Sequence, residues 1–107
     1  MAREKFKTLT EQMFYILLCL HEESRGTDIL EQVRKLTGGR VTIGSGTLYD
    51  LLELFVSEGV IRETKAEGRR RSYLITEKGQ LMLEKERERL LQQLSDYDRI
   101  LGKGDVK

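Results

Sequence analysis

The stretch that most constrains the fold of this chain is residues 44–61, which the pattern predicts as a short helix between two glycine-containing turns. The apolar residues that recur at helical spacing, and so mark a core-facing side, are Leu48, Leu51, Leu52 and Phe55. Ser45 is expected to cap the first turn. Gly59 lies where a left-handed residue commonly ends a helix.

The segment that follows this helix has the pattern of a two-stranded hairpin. Residues 60–66 and 71–75 alternate or run apolar like strands, and residues 67–70 form the predicted turn between them. Five basic residues against two acidic ones give residues 60–73 a local charge of +3. A helix followed by a hairpin with a basic tip is typical of a winged helix that recognises DNA. The expected fold class is mostly α with a small β-hairpin wing, a winged helix-turn-helix of the α+β class.

The first half of the chain supplies the helices that should support this unit. A first helix is expected to begin at a capping box from Thr8 to Glu11, and it is apolar nearly all round. A helix of that kind needs a second cover, and a partner subunit is the simplest one. A second helix is expected from Gly26 or Thr27, and its predicted buried stripe is Ile29, Val33 and Leu36. Residues 40–43 are expected to form a short first strand.

The end of the chain predicts one long helix over residues 77–101, capped by Thr76. Its apolar residues follow a coiled-coil-like seam with nothing left in one subunit to cover the far end. The predicted dimerisation residues are Phe14, Leu18, Leu83, Leu90, Leu94, Tyr97 and Leu101. The chain is therefore divided into a winged-helix DNA-binding domain, 1–76, a dimerisation helix, 77–101, and a flexible tail, 102–107.

Composition excludes several other classes of protein. A chain of 107 residues is long enough for one domain. Its net charge of +1 excludes a polycationic protein that binds nucleic acid through its whole surface. The single cysteine excludes an internal disulfide and fits a reducing compartment, and the apolar run 13–20 is too short to span a bilayer, so a cytoplasmic location is expected. Cys19 and His21 are two residues apart on a helix and face different directions, so no metal site is expected. No serine has a partner base, and neither an enzyme nor a cofactor is predicted.

Several segments together resemble the PadR-like family of bacterial transcriptional regulators. They are Leu9-Thr-Glu11, Thr37-Gly-Gly-Arg40, Gly46-Thr-Leu-Tyr49, Glu58-Gly-Val-Ile61, Gly68-Arg-Arg-Arg71 and Thr76-Glu-Lys-Gly79. The resemblance runs from about residue 9 to residue 79, and the single closing helix is similar to the short branch of the family. It implies a homodimeric repressor that binds a palindromic operator and is released by a small molecule or another signal.

The resemblance and the local charges together indicate which residues contact DNA. The opening of the third helix matches the family from Gly46 to Tyr49, and residues 69–71 match its basic wing. The free N–H groups at the start of the third helix would bind a phosphate. The expected DNA-contacting residues are Arg40, Ser45, Gly46, Thr47, Tyr49, Arg69, Arg70 and Arg71.

Two departures from the family pattern keep alternatives open. The third helix carries Asp50, Glu53 and Leu54, the last expected to be exposed, where the family usually has basic residues, which favours a protein-interaction module that has lost strong DNA binding. The second helix begins with Arg25-Gly-Thr-Asp28 in place of the usual His-Gly-Tyr-Glu.

A third alternative is a ligand sensor. The residues expected to line its effector site, between the first and last helices of two subunits, are Phe14, Tyr15, Leu18 and Tyr97.

Overall fold

The computed structural model describes residues 8–102, which fold into four helices and a small three-stranded antiparallel sheet. In chain order the elements are α1 (Glu11–Cys19), β1 (Ser24–Arg25), α2 (Gly26–Leu36), α3 (Ser45–Ser57), β2 (Ile61–Glu67), β3 (Arg70–Ile75) and α4 (Glu77–Leu101). The predicted winged helix of the α+β class is confirmed. The tail expected over 102–107 lies outside the described residues beyond Gly102.

The sheet has the order β1-β3-β2, and β2 and β3 form the wing. The two strands pair from Ile61 opposite Ile75 to Glu67 opposite Arg70, and the intervening Gly68 adopts φ +63°. That left-handed conformation suits a two-residue hairpin turn. The strand expected over 40–43 is wrong, because that segment is irregular. The third strand is β1, a two-residue segment too short to show an alternating pattern.

One apolar core joins the four helices and the wing. The buried residues from the three short helices are Ile16, Leu17, Leu20, Ile29, Val33, Leu48, Leu52 and Phe55. The wing adds Ile61, Tyr73 and Ile75 to this core. Leu36 was expected in the core, but it is 56% exposed because it lies on the last turn of α2.

The helix ends agree with some predicted caps and not with others. The hydroxyl of Thr10, and not that of Thr8, accepts from the Met13 N–H at 3.1 Å and caps α1. The prediction that Ser45 caps α3 is also wrong, because Gly44 occupies the N-cap and Ser45 is the first helical residue. Gly59, with φ +78°, follows the end of α3 as predicted.

The first turn of α4 is fixed against the end of α3. Thr76 caps α4 as predicted, and its hydroxyl also donates to the Gly59 carbonyl at 2.7 Å. Lys78 Nζ donates to the Glu58 carbonyl at 2.8 Å. These bonds satisfy carbonyl groups at the end of α3 that the helix itself leaves free. The first turn of α4 is therefore held by hydrogen bonds to the end of α3.

The far half of α4 extends away from the core. Glu86 is buried where α4 passes the start of α1, and its carboxylate accepts from the Leu9 N–H at 3.2 Å. Beyond Leu90 nearly every residue of α4 is exposed. The radius of gyration is 16.1 Å, larger than the roughly 13 Å of a compact chain of this length.

Candidate nucleic-acid interface

The start of α2, Tyr49 of α3 and the wing meet around a cleft of about 200 Å³. The residues that line this cleft, called the wing cleft below, are Arg25, Gly26, Thr27, Tyr49, Arg69, Arg70, Arg71 and Tyr73. Four of them are predicted from the sequence to contact DNA, namely Tyr49 and the three wing arginines. The fold thus brings the wing and Tyr49 of α3 to one place, although twenty residues separate Tyr49 from Arg69 along the chain.

Tyr49 packs against the first residue of α2. A Cβ atom at Gly26 would lie 3.1 Å from Cε1 of Tyr49 and 3.4 Å from Cδ1 of Leu52. The absence of a side chain at Gly26 therefore lets the ring lie against the start of α2. Tyr49 is nevertheless 45% exposed, so one side of the ring remains open to solvent at the cleft.

The basic residues of the wing cleft differ in whether an acid already neutralises them. Arg71 Nη1 lies 3.1 Å from Oε2 of Glu63 in the same hairpin. Arg25, Arg69 and Arg70 form no ion pair with any other residue in the range 8–102. Three unpaired cations around one opening create a positive potential that attracts a polyanion.

The first turn of α3 is open to an incoming anion. Its N-cap is Gly44, which has no side chain to accept a hydrogen bond, so the N–H groups of Ser45 to Thr47 have no acceptor within the helix. Nothing lies within 4 Å of the Cβ position at Gly46. Ser45, Gly46 and Thr47 are all exposed. An exposed helix N-terminus of this kind favours binding of a phosphate oxygen.

The middle of α3 carries acidic residues on its exposed side. Asp50 and Glu53 are exposed and pair with no cation of the described chain. The expectation that Leu54 is exposed is wrong, because its side chain is half-buried. Val56, two residues later in α3, is an aliphatic residue that is 41% exposed. Contacts to DNA phosphates are therefore favoured at the first turn of α3 and disfavoured farther along it.

Arg40 lies apart from the wing cleft. Its Nη1 donates to Glu11 Oε2 at 2.8 Å, and its Nη2 donates to the Tyr15 hydroxyl at 3.0 Å. The guanidinium carbon also lies 5.8 Å from the centre of the Tyr15 ring. These contacts tie the loop before α3 to the start of α1.

A second surface feature is an apolar groove of about 310 Å³ between α1 and α4. The residues that line this groove, called the α1–α4 groove below, are Phe14, Leu18, Leu83, Glu84, Arg87, Leu90, Leu91 and Leu94. Five of the predicted dimerisation residues are among them. Tyr97 and Leu101 lie farther along α4 and are 57% and 66% exposed. Tyr15 also lies outside the groove, so one subunit brings only Phe14 and Leu18 of the four expected effector-site residues together.

Other kinds of site have little support within residues 8–102. No group of three or more His, Cys, Asp or Glu side chains in this range could hold a metal ion. Burial raises the pKa of the Cys19 thiol, which makes it a weak nucleophile. His21 Nδ1 contacts the Leu18 carbonyl at 2.9 Å, a local contact at the end of α1. No helix in the same range is long and apolar enough to cross a membrane.

The sequence pattern does not single out every residue of the wing cleft. It places Tyr73 only in a strand, Gly26 and Thr27 only at the start of a helix, and residues 25–28 only as a departure from the family pattern. The departure itself is the available signal, since an arginine there adds a cation at the start of a helix. Their proximity to the wing depends on the pairing of β1 with β3, in which Arg25 lies opposite Ser72.

Comparisons with known proteins agree with this geometry. A family model described as the transcriptional regulator PadR-like family matches residues 16–85, more than half of the chain. No protein with a curated description matches. Among solved structures, a transcriptional regulator from Clostridium thermocellum is similar with a TM-score of 0.72 and 24% identity, over 82% of this chain and 90% of that chain.

RosR from H. salinarum is also similar in fold, both in a complex denoted RosR-S1 and in crystals grown from NaBr. Each comparison gives a TM-score of 0.61 and 22% identity over 87% of this chain, and covers 95% and 96% of the RosR chains. These likenesses support the winged-helix fold, and the family model adds the function class. Members of the family are transcriptional regulators and not enzymes. The chain belongs to the PadR-like family of transcriptional regulators and is a DNA-binding regulator.

Proposed function

We propose that this protein is a homodimeric repressor in the cytoplasm that binds a palindromic operator and is released by a small molecule or another signal. The observation that carries the proposal is the wing cleft, where three unpaired arginines and Tyr49 of α3 line one opening. An unpaired cation near a phosphate releases a counterion on binding, which is the main source of affinity for DNA.

The proposed division of roles follows from the exposed groups. The first turn of α3 enters the major groove, where Thr47 and Tyr49 can reach base edges or phosphates through their hydroxyls. Arg69 and Arg70 extend from the tip of the wing toward the adjacent backbone or minor groove. Arg40 is exposed but already paired with Glu11, so it contributes at longer range through its charge.

The proposed dimer rests on the apolar surface that one subunit leaves uncovered. Leu90, Leu94, Tyr97 and Leu101 are each at least 43% exposed along the far half of α4. Phe14 and Leu18 continue this surface into the α1–α4 groove. A contiguous apolar strip of this kind is unusual on a monomer and is covered when the helix of a second copy packs along it. Two copies related by a two-fold axis would place two α3 helices about 34 Å apart on DNA.

The proposed release by an effector concerns the same region. The α1–α4 groove, at about 310 Å³, lies at the lower end of the range for small-molecule sites, about 300–1,000 Å³. In a dimer it would be closed by the partner, which could add its own aromatic side chains near Phe14 and Leu18. A ligand there would bias the direction of α4. Thr76 and Lys78 would carry that change to the end of α3.

A second candidate function is a winged-helix module that binds a protein and has lost strong DNA binding. Asp50 and Glu53 favour it, because unpaired carboxylates on the exposed side of α3 repel phosphates. Their position one and two turns beyond the helix start also allows them to accept from a cytosine amino group. The two candidates therefore differ in whether α3 approaches DNA at all.

The discriminating experiment is a fluorescence anisotropy titration of a labelled duplex taken from the region upstream of the protein's own gene. We expect saturable binding at low salt, with a stoichiometry of two chains per duplex by sedimentation. Shortening the duplex to one half-site should weaken binding sharply, because only one subunit can then engage. An absence of binding at low salt would reject the repressor and favour the protein-interaction module.

A further inference from the structure

One residue that lines the wing cleft, Tyr73, has a hydroxyl without a hydrogen-bond partner among the described residues. Tyr73 is only 8% exposed and lines the cleft, yet its hydroxyl makes no hydrogen bond to any residue between 8 and 102. Within that range, no fully enclosed side-chain oxygen lacks a partner, so this hydroxyl has some contact with solvent, and the cleft is the opening that Tyr73 lines. A buried polar group that faces an opening without a partner is available to bind a ligand.

The start of α2 offers donors to the same cleft. The N-cap position is Arg25, whose side chain makes no capping hydrogen bond. The N–H groups at the first turn, from Gly26 onward, have no acceptor within the helix. Gly26 and Thr27 both line the cleft, so these donors lie beside Tyr73. The unpartnered hydroxyl and the open helix end are independent features of two different elements.

The charges around this position favour a single anion. Arg25, Arg69 and Arg70 are unpaired cations at the rim, whereas Arg71 is already paired with Glu63. The acidic Asp28 lies in the first turn of α2, but it does not line the cleft. The sum at the opening is therefore positive even with the nearby carboxylates included.

The size of the wing cleft fits a single anionic group better than a whole small molecule. Its volume of about 200 Å³ is below the roughly 300–1,000 Å³ of ordinary ligand pockets. Burial, with the nearby Glu63 and Tyr49, raises the pKa of Tyr73, while Arg71 acts in the opposite direction. The hydroxyl therefore keeps its proton at neutral pH and can donate it to an anion oxygen.

We propose that the wing cleft of each subunit holds one phosphodiester of the DNA backbone, bound by Arg25, by the N–H groups that open α2 and by the hydroxyls of Tyr49 and Tyr73. This site rests on the proposed function and adds a contact to it. A phosphate held between α2 and the wing fixes the angle at which α3 enters the major groove. Arg25 and Tyr73 are thus positioning residues for DNA recognition.

The test uses the full chain with duplexes in which a neutral methylphosphonate replaces one phosphate at a time. Two variants remove the proposed contacts, Arg25→Ala and Tyr73→Phe, the second of which keeps the buried ring. The matched control is Arg62→Ala, because Arg62 is an exposed arginine of the wing that does not line the cleft. Thermal unfolding of each variant checks that the fold is retained.

In the wild-type chain, we expect one linkage in each half-site whose neutralisation weakens binding roughly tenfold, as for removal of a hydrogen-bonded charge. Neutralising that linkage should weaken binding less in Arg25→Ala or Tyr73→Phe than in the wild type, because each variant lacks one of the groups that bind the phosphate. In Arg62→Ala the same neutralisation should again weaken binding roughly tenfold.

Two negative outcomes are distinguishable. If the wild-type chain binds duplex, and every neutral linkage weakens the two cleft variants as much as the wild type, the phosphate site is wrong while the proposed function stands. If the wild-type chain binds no duplex at low salt, the proposed function fails and this inference fails with it.

Discussion

The carboxylate of Glu86 in α4 accepts a hydrogen bond from the Leu9 N–H just before α1, with an N to Oε1 distance of 3.2 Å. Arg89 pairs with the same carboxylate one turn farther along α4. Glu86 is the buried charged residue of the described chain, at 5% exposure. The bond therefore links the helix proposed for dimerisation to the start of the DNA-binding unit.

Replacing the carboxylate of Glu86 should lower the free energy of unfolding and should make that free energy less dependent on pH in the acid range. The pKa of Glu86 is lowered chiefly by the Arg89 hydrogen bond and also by the Leu9 N–H, while burial acts the other way. The contribution of Glu86 to the free energy of unfolding is therefore complete above its pKa in the unfolded chain, about 4.3. That contribution is lost as the pH falls through the lower pKa of the folded protein. We expect Glu86→Gln to lower the free energy of unfolding by about 1–3 kcal/mol at pH 7 and to flatten the acid-side decrease, measured by urea unfolding.

The matched control for Glu86 is Glu31→Gln. Glu31 also forms an ion pair with an arginine three residues later, and its pKa is likewise lowered, chiefly by the Arg34 hydrogen bond. Because both side chains of that pair are exposed to solvent, its removal should change stability little. Equal effects of the two substitutions would show that burial of Glu86 contributes nothing.

The contact between Gly26 and Tyr49 predicts a variant that separates DNA binding from stability. In Gly26→Ala the new methyl group would meet the Tyr49 ring at 3.1 Å, and the ring can move because it is 45% exposed. The free energy of unfolding should change by less than about 1 kcal/mol, while affinity for DNA falls severalfold. The two are measured by urea unfolding and fluorescence anisotropy.

A double-mutant cycle provides the control for Gly26. In a Tyr49→Ala background the methyl group has no ring to displace, so Gly26→Ala should cause no further decrease in affinity. A decrease of equal size in both backgrounds would mean that Gly26 acts without Tyr49.

The start of α4 predicts a strong effect at a single glycine. A Cβ atom at Gly79 would overlap the Val60 carbonyl oxygen and would lie 2.6 Å from Cγ1 of Ile75. Gly79→Ala should lower the free energy of unfolding by about 1–3 kcal/mol or more, because the backbone must shift. Gly46→Ala is the control, since nothing lies within 4 Å of its Cβ position inside α3. Similar urea midpoints for the two variants would contradict the close packing at Gly79.

The exposed apolar residues of α4 predict an oligomeric state. Leu90→Glu combined with Leu94→Glu should convert the proposed dimer to a monomer, because carboxylates would be buried against the partner helix. The control is Leu81→Glu, a leucine of the same helix that is 56% exposed and lies outside the α1–α4 groove. Sedimentation velocity measures the outcome. Dimers that persist in the double variant would place the interface elsewhere.

The sequence predicted the parts of the fold that have a strong local pattern. Residues 48–55 show helical periodicity, and the wing shows alternation, so the winged helix is predictable from the sequence alone. The two-residue strand β1 and the cap at Thr10 have weak local signals. The same is true of Leu36, whose exposure depends on where α2 ends and not on its apolar side chain.

The candidate site is predictable where charge is local and unpredictable where it depends on tertiary pairing. The three arginines of the wing are adjacent in sequence, so their basic surface is evident. Arg25 reaches the same cleft only because β1 pairs with β3. Arg40 is already paired with Glu11, a contact between residues twenty-nine positions apart that no short pattern reveals.

The most direct test of the central claim is the salt dependence of DNA binding by Arg69→Ala/Arg70→Ala. Both side chains are unpaired at the tip of the wing, so their removal should weaken binding to all duplexes. It should also flatten the log–log salt slope by about one unit for each phosphate that the wing no longer neutralises. The charge-matched control is Arg34→Ala/Arg99→Ala, in which both arginines are exposed, ion-paired and outside the wing cleft. An affinity and a slope equal to those of the control would contradict a DNA-binding wing.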